Sequence, residues 1–74
     1  MKKVYSDWIE YCNNKGERHR TDGPAVECAD GDREWFINGQ CVADMSTTGK
    51  VTIWTKGELP PLIKQSIAME VLKV

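Results

Sequence analysis

Closely spaced turn signals constrain the fold of this chain more than any other feature. The stretch GERHRTDGPAVECADGDREWFINGQ, residues 16–40, holds four glycines, each close to an Asp, Asn or Glu. Glycine adopts positive φ without steric cost, and a neighbouring Asp or Asn can hydrogen-bond its own backbone, so these pairs favour tight turns. The spacing predicts short antiparallel strands joined by reversals. Asn38-Gly39 is the strongest hairpin signal and indicates a type I′ turn.

The segments between these turns have the composition of strands. KVYSDWIEYC (3–12) predicts the first strand, ERHR (17–20) a short second strand and AVECA (25–29) a third. REWFI and QCVA, on either side of Asn38-Gly39, and then KVTIWT complete the meander. At the corner before the third strand, Gly23 is expected to take the left-handed conformation. Pro24 is expected to open the strand, where its missing N–H does no harm.

The hydrophobic period changes near the C-terminus. In LPPLIKQSIAMEVLKV the apolar residues recur at three- and four-residue steps, which indicates one face of an amphipathic helix. Pro60 and Pro61 suit its first turn, where N–H groups have no helical partner. The predicted fold is a single α+β domain over 1–74, with an antiparallel β-meander of about five or six short strands (3–55) and a C-terminal helix (60–73). The apolar stripe is Leu59, Leu62, Ile63, Ile67, Val71 and Val74.

Charge and cysteine content exclude several classes of function. The 74 residues carry a formal net charge of −1, so no global field attracts nucleic acid or an anionic membrane. No apolar segment resembles a signal peptide or approaches the roughly 20 residues of a membrane span, so we expect a cytoplasmic protein. The three cysteines are irregularly spaced and lack a C-x-x-C pair. This pattern predicts reduced thiols, with no metal site and no cofactor.

Aromatic and basic side chains are the candidates for binding. Three tryptophans offer large apolar surfaces, and we expect two of them in the core and one exposed for recognition. The arginines could line an anion site, although interleaved acidic residues favour paired or solvated charges. Strand alternation predicts that His19 lies opposite both neighbouring arginines, as a half-buried ring bonded to a turn carbonyl. The candidate binding residues are Trp8, Arg18, His19, Arg20, Trp35 and Trp54.

The segment HRTDGPAVECADGDREWFINGQ, His19 to Gln40, resembles the HRxDGPA repeat of bacterial and tailed-phage proteins, a variant of the MORN-type β-hairpin repeats. The resemblance implies a β-hairpin scaffold and a phage or bacterial setting, and it names no catalytic residue and no ligand. Gly23, Pro24, Asn38 and Gly39 are then its structural turns. A second repeat would restart after Gly39, but the chain there reads QCVADMSTTGK. Any second copy has therefore eroded.

Two classes of function remain open. No carboxylate pair or nucleophile–base pair stands out, so we expect no enzyme. The first class is a non-catalytic, phage-type protein that binds and inhibits a host bacterial protein, such as a defence or transcription component, in the host cytoplasm. The alternative is an oligomer that sequesters a nucleotide-like small molecule with Arg18, Arg20 and a stacking tryptophan.

Size and open edges also predict self-association. A domain of 74 residues has a marginal core, and a meander leaves two sheet edges with unpaired backbone groups. A symmetric homodimer would bury the same edge or helix patch twice. We expect Leu62, Ile63 or Ile67 to lie in or next to that contact.

Overall fold

The computed structural model describes residues 1–73 and contains one sheet and one helix. The six strands pair antiparallel with their nearest neighbours in sequence, in the order β1 to β6. This confirms the predicted α+β meander with a C-terminal helix. The elements are β1 Lys2–Val4, β2 Trp8–Tyr11, β3 Val26–Cys28, β4 Arg33–Ile37, β5 Gln40–Met45, β6 Val51–Ile53 and α1 Pro61–Leu72.

Two strand predictions were wrong. The predicted first strand (3–12) is a hairpin, in which the Tyr5 N–H donates to the Trp8 carbonyl at 2.8 Å and closes the turn between β1 and β2. Ser6-Asp7, a turn-forming pair, breaks the apolar run at that point. The segment ERHR (17–20) is not a strand, and Arg18 makes only an isolated bridge with Cys12. The structure still has six strands, because the predicted first strand is two strands and the predicted second strand is absent.

The hairpin turn at residues 38–39 is confirmed, and the conformation predicted for Gly23 was wrong. Asn38 and Gly39 have φ of 48° and 83°, as a type I′ turn requires. Gly23 is not among the positive-φ glycines. A Cβ at Gly23 would lie 2.7 Å from the guanidinium carbon of Arg20. The glycine is therefore needed for close approach of a side chain rather than for a left-handed backbone.

The core lies between α1 and the middle of the sheet. Trp35 is fully buried there, and its indole N–H donates to Ser66 Oγ of the helix at 2.9 Å. This hydrogen bond satisfies the one polar atom that the ring buries. The buried core residues are Trp35, Val42, Ala43, Met45 and Ile63, with Ile37, Val51, Leu59 and Ile67 packed against them.

The predicted apolar stripe of the helix is only partly the buried one. Ile63 is fully buried and Ile67 packs against the core, whereas Leu62 and Val71 are exposed. The helix buries Glu70 beside Ile63, a position that the hydrophobic pattern leaves out. Val74 lies outside the described residues.

One helix covers only part of the sheet. Cross-strand partners share a face, so the register Val4–Ile9–Glu27–Arg33–Met45 marks the face on which the helix packs, called here the helix-side face. A helix about 10–12 Å across spans roughly two strands at about 4.8 Å spacing. The core residues place α1 over β4 and β5. The helix therefore does not cover the helix-side face of β1 to β3, although Arg20 covers Tyr11 there. No helix in residues 1–73 has the length and hydrophobicity to cross a membrane.

Candidate interaction surface

Arg20 joins the loop of residues 20–24 to the sheet. Its guanidinium carbon lies 4.0 Å from the centre of the Tyr11 ring, which is a close cation–π contact. Its Nη1 donates to the Pro24 carbonyl at 3.1 Å, and its Nε donates to Asp22 at 3.0 Å. Gly23 leaves the space that the guanidinium fills. The Arg-Thr-Asp-Gly-Pro run therefore holds one arginine in place.

His19 forms a hydrogen bond that stabilises a turn. Its Nδ1 accepts a hydrogen bond from the Asn38 backbone N–H at 2.9 Å, so the half-buried ring fixes the hairpin turn between β4 and β5. The predicted bond to a turn carbonyl was wrong in its direction, because His19 Nδ1 accepts a hydrogen bond from a turn N–H. This contact joins the two ends of the HRTDGPAVECADGDREWFINGQ segment.

Arg18 lies apart from Arg20 and Arg33, which both approach Glu27. Arg18 contacts the Phe36 ring and forms ion pairs with Glu10 and Glu34, which share the face opposite the helix. Arg20 instead reaches Glu27 on the helix-side face. The prediction that alternation places both arginines on one face was therefore wrong, because residues 17–20 do not form a regular strand with alternating faces.

A chain of alternating charges runs from the helix end to the loop of residues 20–24. Arg33 Nε lies 3.1 Å from Glu70 of α1 and 3.9 Å from Glu27 of β3. Lys73 extends the chain at the helix end, 3.0 Å from Glu70. Arg20, 3.7 Å from Glu27, extends it at the other end. These charged groups line the border between the helix and the part of the sheet that the helix does not cover.

Glu70 and Glu10 remain ionised for different reasons. Burial alone would raise the pKa of Glu70, but hydrogen bonds and charges from Lys73 and Arg33 outweigh it and lower the pKa. The pKa of Glu10 is lowered, chiefly because the Cys12 thiol donates to its carboxylate at 3.0 Å, with Arg18 contributing. The same bond raises the pKa of Cys12. Both carboxylates thus act as fixed negative charges.

The tryptophans divide differently from the prediction. Trp35 is fully buried and belongs to the core, so its place among the binding residues was wrong. Trp54 is 60% exposed beside β6, where its indole N–H donates to Asp44 at 2.8 Å. Trp8 is 36% exposed and stacks on Tyr5 with ring centres 4.4 Å apart. One tryptophan is therefore in the core and two are on the surface, the reverse of the expected ratio.

The open part of the helix-side face forms a groove. One depression of about 330 Å³ lies between α1 and the 20–24 loop, with Leu62 and Met69 on the helix wall. A second, of about 390 Å³, lies over β1 and β2 and includes Val4 and Ile9. Glu27 lines both, so they form one surface. We call it the open groove, defined by Val4, Ile9, Glu27, Leu62 and Met69.

The open groove exposes large apolar side chains. Val4 is 69% exposed, Met69 59% and Leu62 53%. Where exposed apolar side chains lie side by side, they offer a surface on which another molecule can bind. The sequence does not single out Val4 or Met69, because only the position of α1 over β4 and β5 leaves them exposed. Of the three predicted dimer-contact residues, Ile63 is buried within its own chain and Leu62 lies in the groove.

No group of three or more His, Cys, Asp or Glu side chains within residues 1–73 is arranged to hold a metal ion. No family model, curated protein or solved structure matched this chain.

Proposed function

We propose that this chain is a non-catalytic, phage-type interaction protein that binds and inhibits a host bacterial protein, such as a defence or transcription component. The observation that carries the proposal is the open groove, where Leu62 and Met69 stand exposed beside an uncovered half of the sheet. The resemblance of His19 to Gln40 to the HRxDGPA repeat supports a phage or bacterial setting and supplies no catalytic group.

The shape of the groove favours an amphipathic helix as the bound segment. The floor over β1 to β3 is wide enough for one helix beside α1, since a helix spans roughly two strands. Apolar side chains of such a helix would contact Val4, Ile9, Leu62 and Met69, in the groove-docking mode of helical recognition. Its polar residues would meet Arg20 and Glu27, which already carry opposite charges.

The alternative, an oligomer that sequesters a nucleotide-like ligand, has weaker support. A phosphate site needs guanidinium groups that converge and are free to form new bonds. Arg18 is paired with Glu10 and Glu34 on one face, and Arg20 is paired with Glu27 on the other. The surface tryptophans are also far apart in the fold, on β2 and after β6.

Capture from a bacterial lysate, with the bound protein identified by mass, tests the proposal if matched variants are compared. Leu62→Asp and Met69→Asp place a charge in the groove, whereas Leu72→Asp places the same charge at an exposed position of the same helix outside it. We expect one specific protein to be retained by the wild type and by Leu72→Asp, and lost with either groove variant. Retention that is equal for all four proteins would exclude the groove as the binding site.

A further inference from the structure

The second edge of the sheet presents a regular set of unpaired backbone groups. The Trp54 N–H donates to the Val42 carbonyl, and the Ser46 N–H donates to the Lys50 carbonyl, both at 2.9 Å. Hydrogen-bonded pairs alternate along an antiparallel ladder, so Thr52 directs its backbone groups toward Asp44 of β5. Val51 and Ile53 therefore direct their N–H and C=O groups away from the sheet.

The side chains along this edge are apolar on the helix-side face, whereas Lys50, Thr52 and Trp54 lie on the opposite face. Ile53 is exposed on the helix-side face, and Trp54 is exposed on the opposite face. The hydrogen bond from the indole to Asp44 holds the Trp54 ring in one orientation. An exposed edge strand with outward apolar groups is a template for pairing with another strand.

We propose that β6 pairs with β6 of a second copy of this chain, antiparallel and centred on Thr52, to give one continuous sheet of two copies. In this register Val51 faces Ile53 of the partner subunit, and Ile53 faces the partner's Val51. These are the residues whose backbone groups point outward, so each of the two facing pairs exchanges two N–H···O=C bonds. Registers centred on Val51 or Ile53 would pair one of them with Gly49 or Thr55, outside the strand.

The same register is self-complementary in its side chains. Val51 and Ile53 of the two copies meet as β-branched, apolar cross-strand pairs. Lys50 faces the partner's Trp54 on the same face, and a lysine ammonium over an indole is a favourable cation–π contact. Each contact occurs twice because the axis is two-fold. This interface lies at β6, at the opposite edge of the sheet from β1 in the open groove, so it is independent of the proposed function.

Proline variants at the two edges test the pairing. Ile53→Pro removes an outward N–H and blocks the pairing while the bonds between β5 and β6 remain possible. Val4→Pro is the matched control, because Val4 occupies the equivalent outward position on β1: the flanking backbone bonds join Met1 to Cys12 and Tyr5 to Trp8. In sedimentation at rising micromolar concentrations, we expect wild type and Val4→Pro to approach twice the 8.4 kDa chain mass.

Ile53→Pro should stay at the monomer mass over the same range. A wild type that stays monomeric, or an Ile53→Pro variant that associates as strongly as the wild type, would overturn the proposal.

Thr52→Cys gives a second measurement that keeps the edge backbone intact. The two Thr52 positions face each other with Cα atoms about 4.5 Å apart, within the range of a disulfide.

Under mild oxidation, we expect Thr52→Cys to form a covalent dimer at least ten times faster than Thr48→Cys, an exposed control in the turn before β6. The native cysteines are present in both variants and contribute equally. Equal rates for the two variants would contradict the register.

Discussion

At the scale of single residues, several residues of the HRTDGPA segment contribute to one set of contacts around Arg20. Arg20 stacks on Tyr11, and it is hydrogen-bonded to Asp22 and to the Pro24 carbonyl. Gly23 leaves room for the guanidinium. These residues therefore fix the connection between β2 and β3. Their contacts with one another account for their presence without a ligand.

Gly23→Ala tests the contacts of Arg20 in this connection. The new Cβ would lie 2.7 Å from the Arg20 guanidinium carbon, so the guanidinium must leave its contacts or the loop must move. We expect a loss of about 1–2 kcal/mol in the free energy of unfolding, measured by urea denaturation. In an Arg20→Ala background, the same substitution should cost less than about 0.5 kcal/mol. An equal cost in both backgrounds would show that Arg20 is not the cause.

The buried Glu70 makes stability depend on pH. Its folded-state pKa is lowered by Lys73 and Arg33, so its contribution to stability is fully present above the unfolded-state pKa of about 4.3. That contribution is lost as the pH falls through the lower folded-state pKa. In denaturation curves from pH 7 down to pH 3, Glu70→Gln should lose less stability on acidification than the wild type. Parallel curves for the two proteins would exclude this role.

At the scale of elements, the helix presents two adjacent aliphatic residues with opposite environments. Ile63 is fully buried against the sheet, whereas Leu62 is 53% exposed in the open groove. We expect Ile63→Ala to lower the free energy of unfolding by about 2–5 kcal/mol, and Leu62→Ala to change it by less than about 0.5 kcal/mol. Chemical denaturation of the two variants measures both values. Comparable losses would mean that the helix is rotated from the position described.

The elements were predictable wherever the signal was local. The Asn38-Gly39 turn follows from two residues that tolerate positive φ. The position of the helix follows from its apolar period, although that period predicts only part of the buried face. The break at Ser6-Asp7 was missed because Val, Tyr, Trp and Ile on both sides favour one long strand. Burial of Glu70 could not be read from hydrophobicity, since Arg33, its partner, is 37 residues away in sequence.

The candidate site depends on contacts that no local pattern contains. Trp35 and Trp54 both lie in segments that the sequence predicts as strands, but the first lies on the helix side of a central strand and the second follows an edge strand. Which half of the sheet the helix covers is decided by the side chains on the helix-side face. Ala43 and Met45 of β5 pack against the helix, whereas Glu27 of β3 is charged and is paired with Arg20 and Arg33.

At the scale of the whole molecule, the chain is thin. Its Cα extents are 30 × 29 × 16 Å, which allow one sheet and one helix layer. The structure therefore has a single small core, and several of its exposed apolar side chains lie in the open groove and along β6. A partner in the groove and a second copy at β6 would cover different surfaces of the same chain.

The thiols allow a test of what holds this thin molecule together. Cys12, Cys28 and Cys41 are all free, and burial raises the pKa of Cys28 and Cys41, so these thiols are protonated at neutral pH. Because packing and hydrogen bonds hold the described fold, we expect neither a reductant nor a chelator to shift the melting temperature. Differential scanning fluorimetry with and without each reagent measures this. A fall of several degrees with the chelator alone would reveal a bound metal, and a fall with the reductant alone would reveal a disulfide.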